Sequence, residues 1–253
     1  MRTSSTRQFL ALFRVESLLF LREPTAMFFS IAFPLVLLLF VGSIGARDEV
    51  ADGIRFIDTY TASMVAVTAA NIGIMGLSIH VAENRFRGAL KRYRLSPMHP
   101  VVYFCAQFAT AFVTLVVSFC GLLVVTLIAF GLSSVAHWPL FLAIALLTLY
   151  ITVSWGLFLG GLRLPLRSVQ VISAAVFFLM FFSSGAALPR ESFPDWLQVI
   201  SAWNPLAVAN DLLMYAYADY GSVSGLRIAV LVVTTLAINA ITSRTFDWEG
   251  RNS

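Results

Sequence analysis

The sequence predicts an all-α integral membrane protein of six transmembrane helices, with an N-terminal interfacial helix and a broken, re-entrant segment between the fifth and sixth spans. Three observations predict it. Of 253 residues, 59% are hydrophobic and 12% charged, against about 45–50% and 25% in an ordinary soluble domain. Apolar runs of about 20 residues, enough to cross a bilayer, recur from Ala26 almost to the C-terminus. The basic residues cluster between alternate runs, as they do when one side of a membrane retains positive charge. One continuous transmembrane domain is expected over residues 1–253.

The elements follow in order. Residues 5–23 form the leader helix, on which Phe9, Phe13 and Phe20 fall within about 40° of one another, with Arg7, Arg14 and Arg22 nearly opposite. That is the pattern of a helix lying at the membrane surface, a solvated leader being the alternative. Glu16 and Glu23 fall on neither stripe, and Pro24 closes the element. Charges at Arg2, Arg7, Arg14, Glu16 and Arg22 leave no uninterrupted apolar core before the first span, so no cleavable signal peptide is expected. The spans are read at 26–46, 60–82, 101–132, 138–162, 168–188 and 223–241. Between the first two lies a polar loop of mixed sign, Arg47 to Asp58. Trp138 sits at an interface position, and Arg163 and Arg167 flank Pro165 ahead of the fifth span.

Orientation comes from counting sixteen Arg and the single Lys by side. One side holds thirteen, in the leader, in the stretch Arg85 to Arg94, at Arg163 and Arg167, and in the tail. The other holds Arg47, Arg55, Arg190 and Arg227. Both termini are therefore expected in the cytoplasm of a multi-pass cell-membrane protein, with residues 47–58 and 189–220 outside. The partner such basic clusters imply is the lipid bilayer, and no nucleic-acid partner is expected.

Several chemistries are excluded. A P-loop needs G-x-x-x-x-G-K-[ST], and Lys91 is followed by Arg92. His80, His99 and His137 lack partners at ligand spacing, so no metal site is expected. Cys105 and Cys120 are fifteen residues apart on one helix, about 22 Å, too far to bridge. Gly76-Leu77-Ser78-Ile79 resembles a nucleophile turn, but spans four to six contain no histidine to serve an intramembrane serine protease. An ion- or proton-coupled transporter or channel is the rival reading. Against it, the spans hold no charge apart from Asp211 near the outer edge and His80 near the inner one.

Two constellations remain. E-N-R-F-R-G-A-L-K-R-Y-R-L-S-P, from Glu83 to Pro97, can form a helix along the cytoplasmic surface with Phe86, Leu90 and Tyr93 on one face, or it can simply anchor the chain by its positive charge. From Ser183 to Leu213, two short amphipathic pieces, about Phe193 to Ser201 and Leu206 to Tyr217, alternate with Pro189, Pro194 and Pro205. Such pieces dip into a membrane only when buried in protein or facing a water-filled path, the alternative being an ordinary outer loop.

Together these stretches resemble the membrane subunit of the type-2 ABC transporter family. An E-x-x-x-x-G element after the second span is matched by Glu83 and Gly88, followed by basic residues and Pro97. The pattern S-G-x-x-x-P-x-x-x-x-P-x-W-L ending in N-P is matched by Ser184, Gly185, Pro189, Pro194, Trp196, Leu197, Asn204 and Pro205. Arg85 stands where many members carry a second acid close to the first.

The resemblance implies an export permease without its own ATPase site, working as a dimer with a second permease copy, identical or related. Each copy would rest on a separate ABC ATPase that binds ATP and Mg, this chain carrying no cofactor. Residues 83–97 would be the coupling helix, with Glu83, Arg87, Gly88, Lys91, Arg92 and Pro97 as ATPase-coupling residues. Ser184, Gly185, Pro189, Pro194, Trp196, Asn204 and Pro205 would form an outer gate. Asn71, Phe178, Phe181 and Phe182 are candidates for the path of a hydrophobic drug-like or lipid-like cargo, although buried amides and phenylalanines also serve helix packing.

Overall fold

The computed structural model describes residues 5–21, 27–45, 48–51, 53–90, 100–131, 135–188, 190–222 and 224–246. Helix α1, Ser5–Leu21, packs against the third span, Pro100–Phe130. Its protein-facing stripe is Phe9, Leu12, Phe13 and Glu16, at the i, i+3, i+4, i+7 spacing of one helix face. Phe9 and Phe13 stack with ring centroids 6.1 Å apart. Glu16, expected on neither stripe, is buried on this one.

The first span is α2, Phe28–Gly45, which opens with a π-helical turn over Phe28–Ala32. Pro34 has no N–H to offer the carbonyl of Ser30 four residues back. The Ser118 hydroxyl donates to that carbonyl at 2.9 Å and ties α2 to the third span.

The loop between the first two spans holds a short antiparallel hairpin, β1 (Glu49–Ala51) with β2 (Ile54–Arg55). The second span then starts at Phe56, four residues earlier than expected. Asp58 thereby falls in the first helical turn, where a carboxylate suits the exposed N–H groups. Arg55 grips Asp58 at 2.9 and 3.0 Å and donates to the carbonyls of Phe130 and Gly131, closing the hairpin onto the end of the third span. The hydrogen bond to Asp58 raises the Arg55 pKa above its ordinary value, against the opposing effect of burial, so the guanidinium stays charged.

Helix α3, Phe56–Phe86, is the axis of the molecule, buried along most of its length. Its 31 residues rise about 46 Å, well beyond a hydrocarbon core of about 30 Å. A π-helical segment, Asn71–Leu77, lies within it without breaking the helix. There α5, Trp138–Gly161, crosses with almost no side chain between the backbones. A Cβ on Gly156 would fall on the Gly73 carbonyl oxygen, and one on Gly73 would fall on the backbone of Thr152. Small residues give membrane helices this kind of contact.

Helix α4 is Pro100–Phe130, and α6 is Leu166–Ser183. The fifth span stops five residues before the expected end at 188, because Gly185 turns the chain with φ +85° just after the capping residue Ser184. A 3₁₀ turn, Arg190–Ser192, leads to α7, Asp195–Trp203, and α8, Pro205–Ala218. The last span is α9, Gly225–Thr245, packed on α5.

Candidate functional site

Two clusters lie at opposite ends of α3, its C-terminal end being labelled inner and its N-terminal end outer after the orientation expected from the basic residues. At the inner end, Glu83 is not the start of a separate helix but part of the last turn of α3. Arg87 donates to its carboxylate at 2.6 Å across one turn, both facing outward, with Arg87 largely exposed. Gly88 ends the helix with φ +71°, its N–H bonding the Arg85 carbonyl at 3.0 Å. A glycine takes that left-handed position without strain, which explains the five-residue spacing of the E-x-x-x-x-G element. The expected coupling helix over 83–97 is thus interrupted at Gly88. Phe86 is 76% exposed and Leu90 fully buried, so these two do not share a face. Lys91, Arg92, Tyr93 and Pro97 lie outside the described residues.

The opposite face of the same turn is buried. Arg85, 6% exposed, donates to the carbonyls of Leu162 and of Leu164, the latter at 2.7 Å, in the connection between α5 and α6. One turn earlier, His80 meets the Glu16 carboxylate of α1 at 2.5 Å and the Asn84 amide at 2.9 Å. The hydroxyls of Ser78 and Ser173 share a 2.6 Å hydrogen bond between α3 and α6.

The outer cluster gathers around α8, which is wedged against the outer part of α3 and against α5, with Leu206 to Asn210, Leu213, Ala216 and Tyr217 buried. Asn204 caps α8 by accepting from Leu206 N–H at 2.9 Å, and Pro205 follows at the first helical position, where its missing N–H costs nothing. The Asn204 amide also donates to the Met180 carbonyl and the Ser183 hydroxyl, at 2.8 and 2.9 Å, fastening α8 to the end of α6. At its other end, the carbonyls of Ala216 and Tyr217 accept from His137 and Ala136, at the start of α5. Pro194 precedes α7, whose Trp196, Val199, Ile200 and Trp203 form one exposed apolar stripe. Pro189 lies outside the described residues.

Charged residues hold this segment together. Arg190 clasps Asp211 with both terminal nitrogens and donates to the carbonyls of Ser184 and Ala207. Arg227 reaches the same carboxylate at 3.0 Å and the Ala202 carbonyl at 3.0 Å. Arg227 therefore sits inside the first turn of α9, within the span read at 223–241, and its position there is met by pairing. The convergence of Arg190, Asp211 and Arg227 has no local sequence signal, because the three lie on different elements. The inner face carried one, an acid at the fourth position of a 9, 12, 13, 16 stripe.

The candidate path residues do not converge. Phe178 and Phe182 stack on the exposed face of α6 with centroids 6.2 Å apart, while Phe181 stacks on Phe177 on its buried face. Asn71 is buried at the start of the π segment, its amide nitrogen without a hydrogen-bond partner among the described residues. A cavity bounded by Ile74, Thr152, Trp155, Met180 and Leu206 is about 10 Å³, room for about one water.

Among the described residues six apolar helices of membrane-crossing length, with charged groups bonded at the two ends of the buried one, define a multi-pass membrane protein. The family described as ABC-2 type transporter matches residues 7–218, reaching the last residue of α8. The protein ycf38 of Cyanophora paradoxa, named provisionally a transport permease, is 29% identical over 162 residues, which are 61% of this chain and 54% of that protein. The chain thus spans about half the length of the curated relative it matches. The chain belongs to the ABC-2 type transporter family, as a membrane permease component.

Proposed function

We propose that this chain is the permease subunit of an ATP-driven exporter, moving a hydrophobic drug-like or lipid-like molecule out of the cytoplasm or the inner leaflet. Its engine is a separate ABC ATPase, present in two copies, which binds ATP and Mg. A second permease copy stands beside it, and both termini face the cytoplasm of the cell membrane. The observation that carries the reading is the continuity of α3. One buried helix runs from the cytoplasmic Glu83–Gly88 terminus to the outer hairpin, beside the α8 segment. A helix that long and that tightly packed moves as a rigid body, so displacement of its inner end reaches the outer cluster.

In this scheme Glu83 and Arg87 meet the ATPase. The segment from Ser184 to Ala218 is the re-entrant outer gate, held by Asn204 and by the Arg190–Asp211–Arg227 cluster. Phe178 and Phe182, exposed on α6, form an apolar wall that a second copy completes into a path for hydrophobic cargo.

The test is reconstitution. Purified alone, the chain hydrolyses no ATP. With its ATPase, Glu83→Ala or Gly88→Pro leaves hydrolysis running while transport of a lipophilic dye is lost. Normal dye transport in both variants sinks the coupling assignment, and transport driven by a proton gradient without ATP sinks the reading as a whole.

A further inference from the structure

We propose that Arg85 is the positioning residue that passes displacement of the cytoplasmic end of α3 to α6, by locking that end to the connection between α5 and α6. The proposal rests on the permease reading above and deepens it. Glu83 and Arg87 lie four residues apart on one outward face, and Arg85, two residues from each, lies on the opposite face of the helix. That face is buried, with Arg85 only 6% exposed. Its guanidinium donates to the carbonyls of Leu162 and Leu164, immediately past the last turn of α5. A helix C-terminus is the negative end of the helix dipole and leaves carbonyls without partners, so a cation bonded there is held by charge as well as by hydrogen bonds.

The lock is braced on both sides. Gly160 lets α5 approach so closely that a Cβ there would meet the Ser78 carbonyl at 2.7 Å and the Val81 Cβ at 2.8 Å. Ser78 in turn bonds Ser173 of α6. The inner ends of α3, α5 and α6 are thereby one block, with Arg85 as its charged pin. Helix α6 starts at Leu166, two residues beyond the second carbonyl, and ends at Ser183, whose hydroxyl receives Asn204 of the outer segment. Movement imposed on the Glu83 face accordingly has a route through Arg85 and α6 to the outer cluster. A planar fork reaches two carbonyls that stand two residues apart, whereas a lysine offers one compact point charge. Arg85 thus turns inward and works on the permease itself.

The experiment measures the distance between spin labels at Phe86→Cys and Arg167→Cys, both exposed positions, in the full chain with Cys105 and Cys120 replaced by serine, in phosphatidylcholine–phosphatidylglycerol nanodiscs. The expected result is a narrow distance distribution that broadens in Arg85→Ala, broadens less in Arg85→Lys, and is unchanged in Arg87→Ala on the opposite face. Trapping the complex with ATP, Mg and vanadate leaves the distance constant in the wild type, because both labels ride on one block, and shifts it in Arg85→Ala. An unchanged distribution in Arg85→Ala overturns the proposal. So does a change of the distance on trapping in the labelled chain that keeps Arg85, a result that does not depend on the Arg85 variant folding. If the chain engages no ATPase at all, the permease reading fails, while the nucleotide-free comparison still decides whether Arg85 makes the link.

Discussion

Asp211→Asn removes the one anion at the centre of the outer cluster and keeps its shape. In the wild type this carboxylate receives both terminal nitrogens of Arg190 and one of Arg227, at side-chain exposures of 13, 22 and 20%. The asparagine retains one acceptor oxygen, aims an N–H pair at a guanidinium, and leaves two cations facing each other without an anion. Breaking a fully buried pair costs about 3–5 kcal/mol, and the partial exposure here lowers the expectation to about 2–3 kcal/mol. Because these bonds hold α8 and α9 to the segment after Gly185, the cost falls on the closed arrangement of the outer segment, and the open population rises by about 30-fold or more. The assay is the modification rate of Ser201→Cys, a fully buried position in α7, by a membrane-impermeant maleimide, in a background without Cys105 and Cys120. Where opening and closing are fast, that rate tracks the open population. Adding Arg190→Gln to Asp211→Asn removes one stranded cation and recovers part of the effect, as interacting sites do in a double-mutant cycle. A rate within about threefold of the wild type, or strict additivity of the two substitutions, refutes the argument that this cluster holds the segment shut.

Three further outcomes are expected. Gly156→Ala places a methyl group on the Gly73 carbonyl, and because backbone cannot yield as a side chain does, the α3–α5 crossing is lost and folded yield collapses; Gly121→Ala, which meets only Leu35 methyls at 3.5 Å, is tolerated in the same thermal-unfolding assay. Ser118→Ala loses the bond to the Ser30 carbonyl beside Pro34 and lowers stability by about 0.5–1.5 kcal/mol, read as a fall in the unfolding midpoint. Glu16→Ala leaves His80 without its carboxylate and releases α1 from the inner end of α3, seen as faster hydrogen exchange over residues 5–21 with α5 unchanged.

The six spans were legible because lipid solvation is a property of composition and run length, which a sequence displays directly. Their ends were less legible, for reasons that particular residues make clear. Phe56 begins α3 ahead of the expected Tyr60 because Asp58, counted as a loop charge, is satisfied by Arg55 and by the helix N-terminus. The fifth span ends at Ser183 rather than residue 188 because one glycine, Gly185, takes a positive φ, and an apolar run does not announce that. The outer segment was legible as two amphipathic pieces broken by prolines, and Asn204–Pro205 is a helix start that can be read from residue type alone. Its fastening was not, because Arg190, Asp211 and Arg227 meet only in the folded chain.

The charges that resisted sequence reading share a logic. Glu16 is an acid on a buried stripe, Arg85 a base turned inward from a basic stretch, and Arg190, Asp211 and Arg227 are ions that meet beside apolar helices. In a bilayer such groups persist only when paired or bonded to carbonyls, and here each one binds across to a different element: α1 to α3, α3 to the α5–α6 connection, the 3₁₀ turn and α9 to α8. The apolar residues alone would pack six helices in several ways, since lipid is as good a partner for leucine as another helix is. Directional bonds between charged groups and named partners pick one arrangement. They sit toward the two ends of α3, the long buried helix against which α5 and α8 pack.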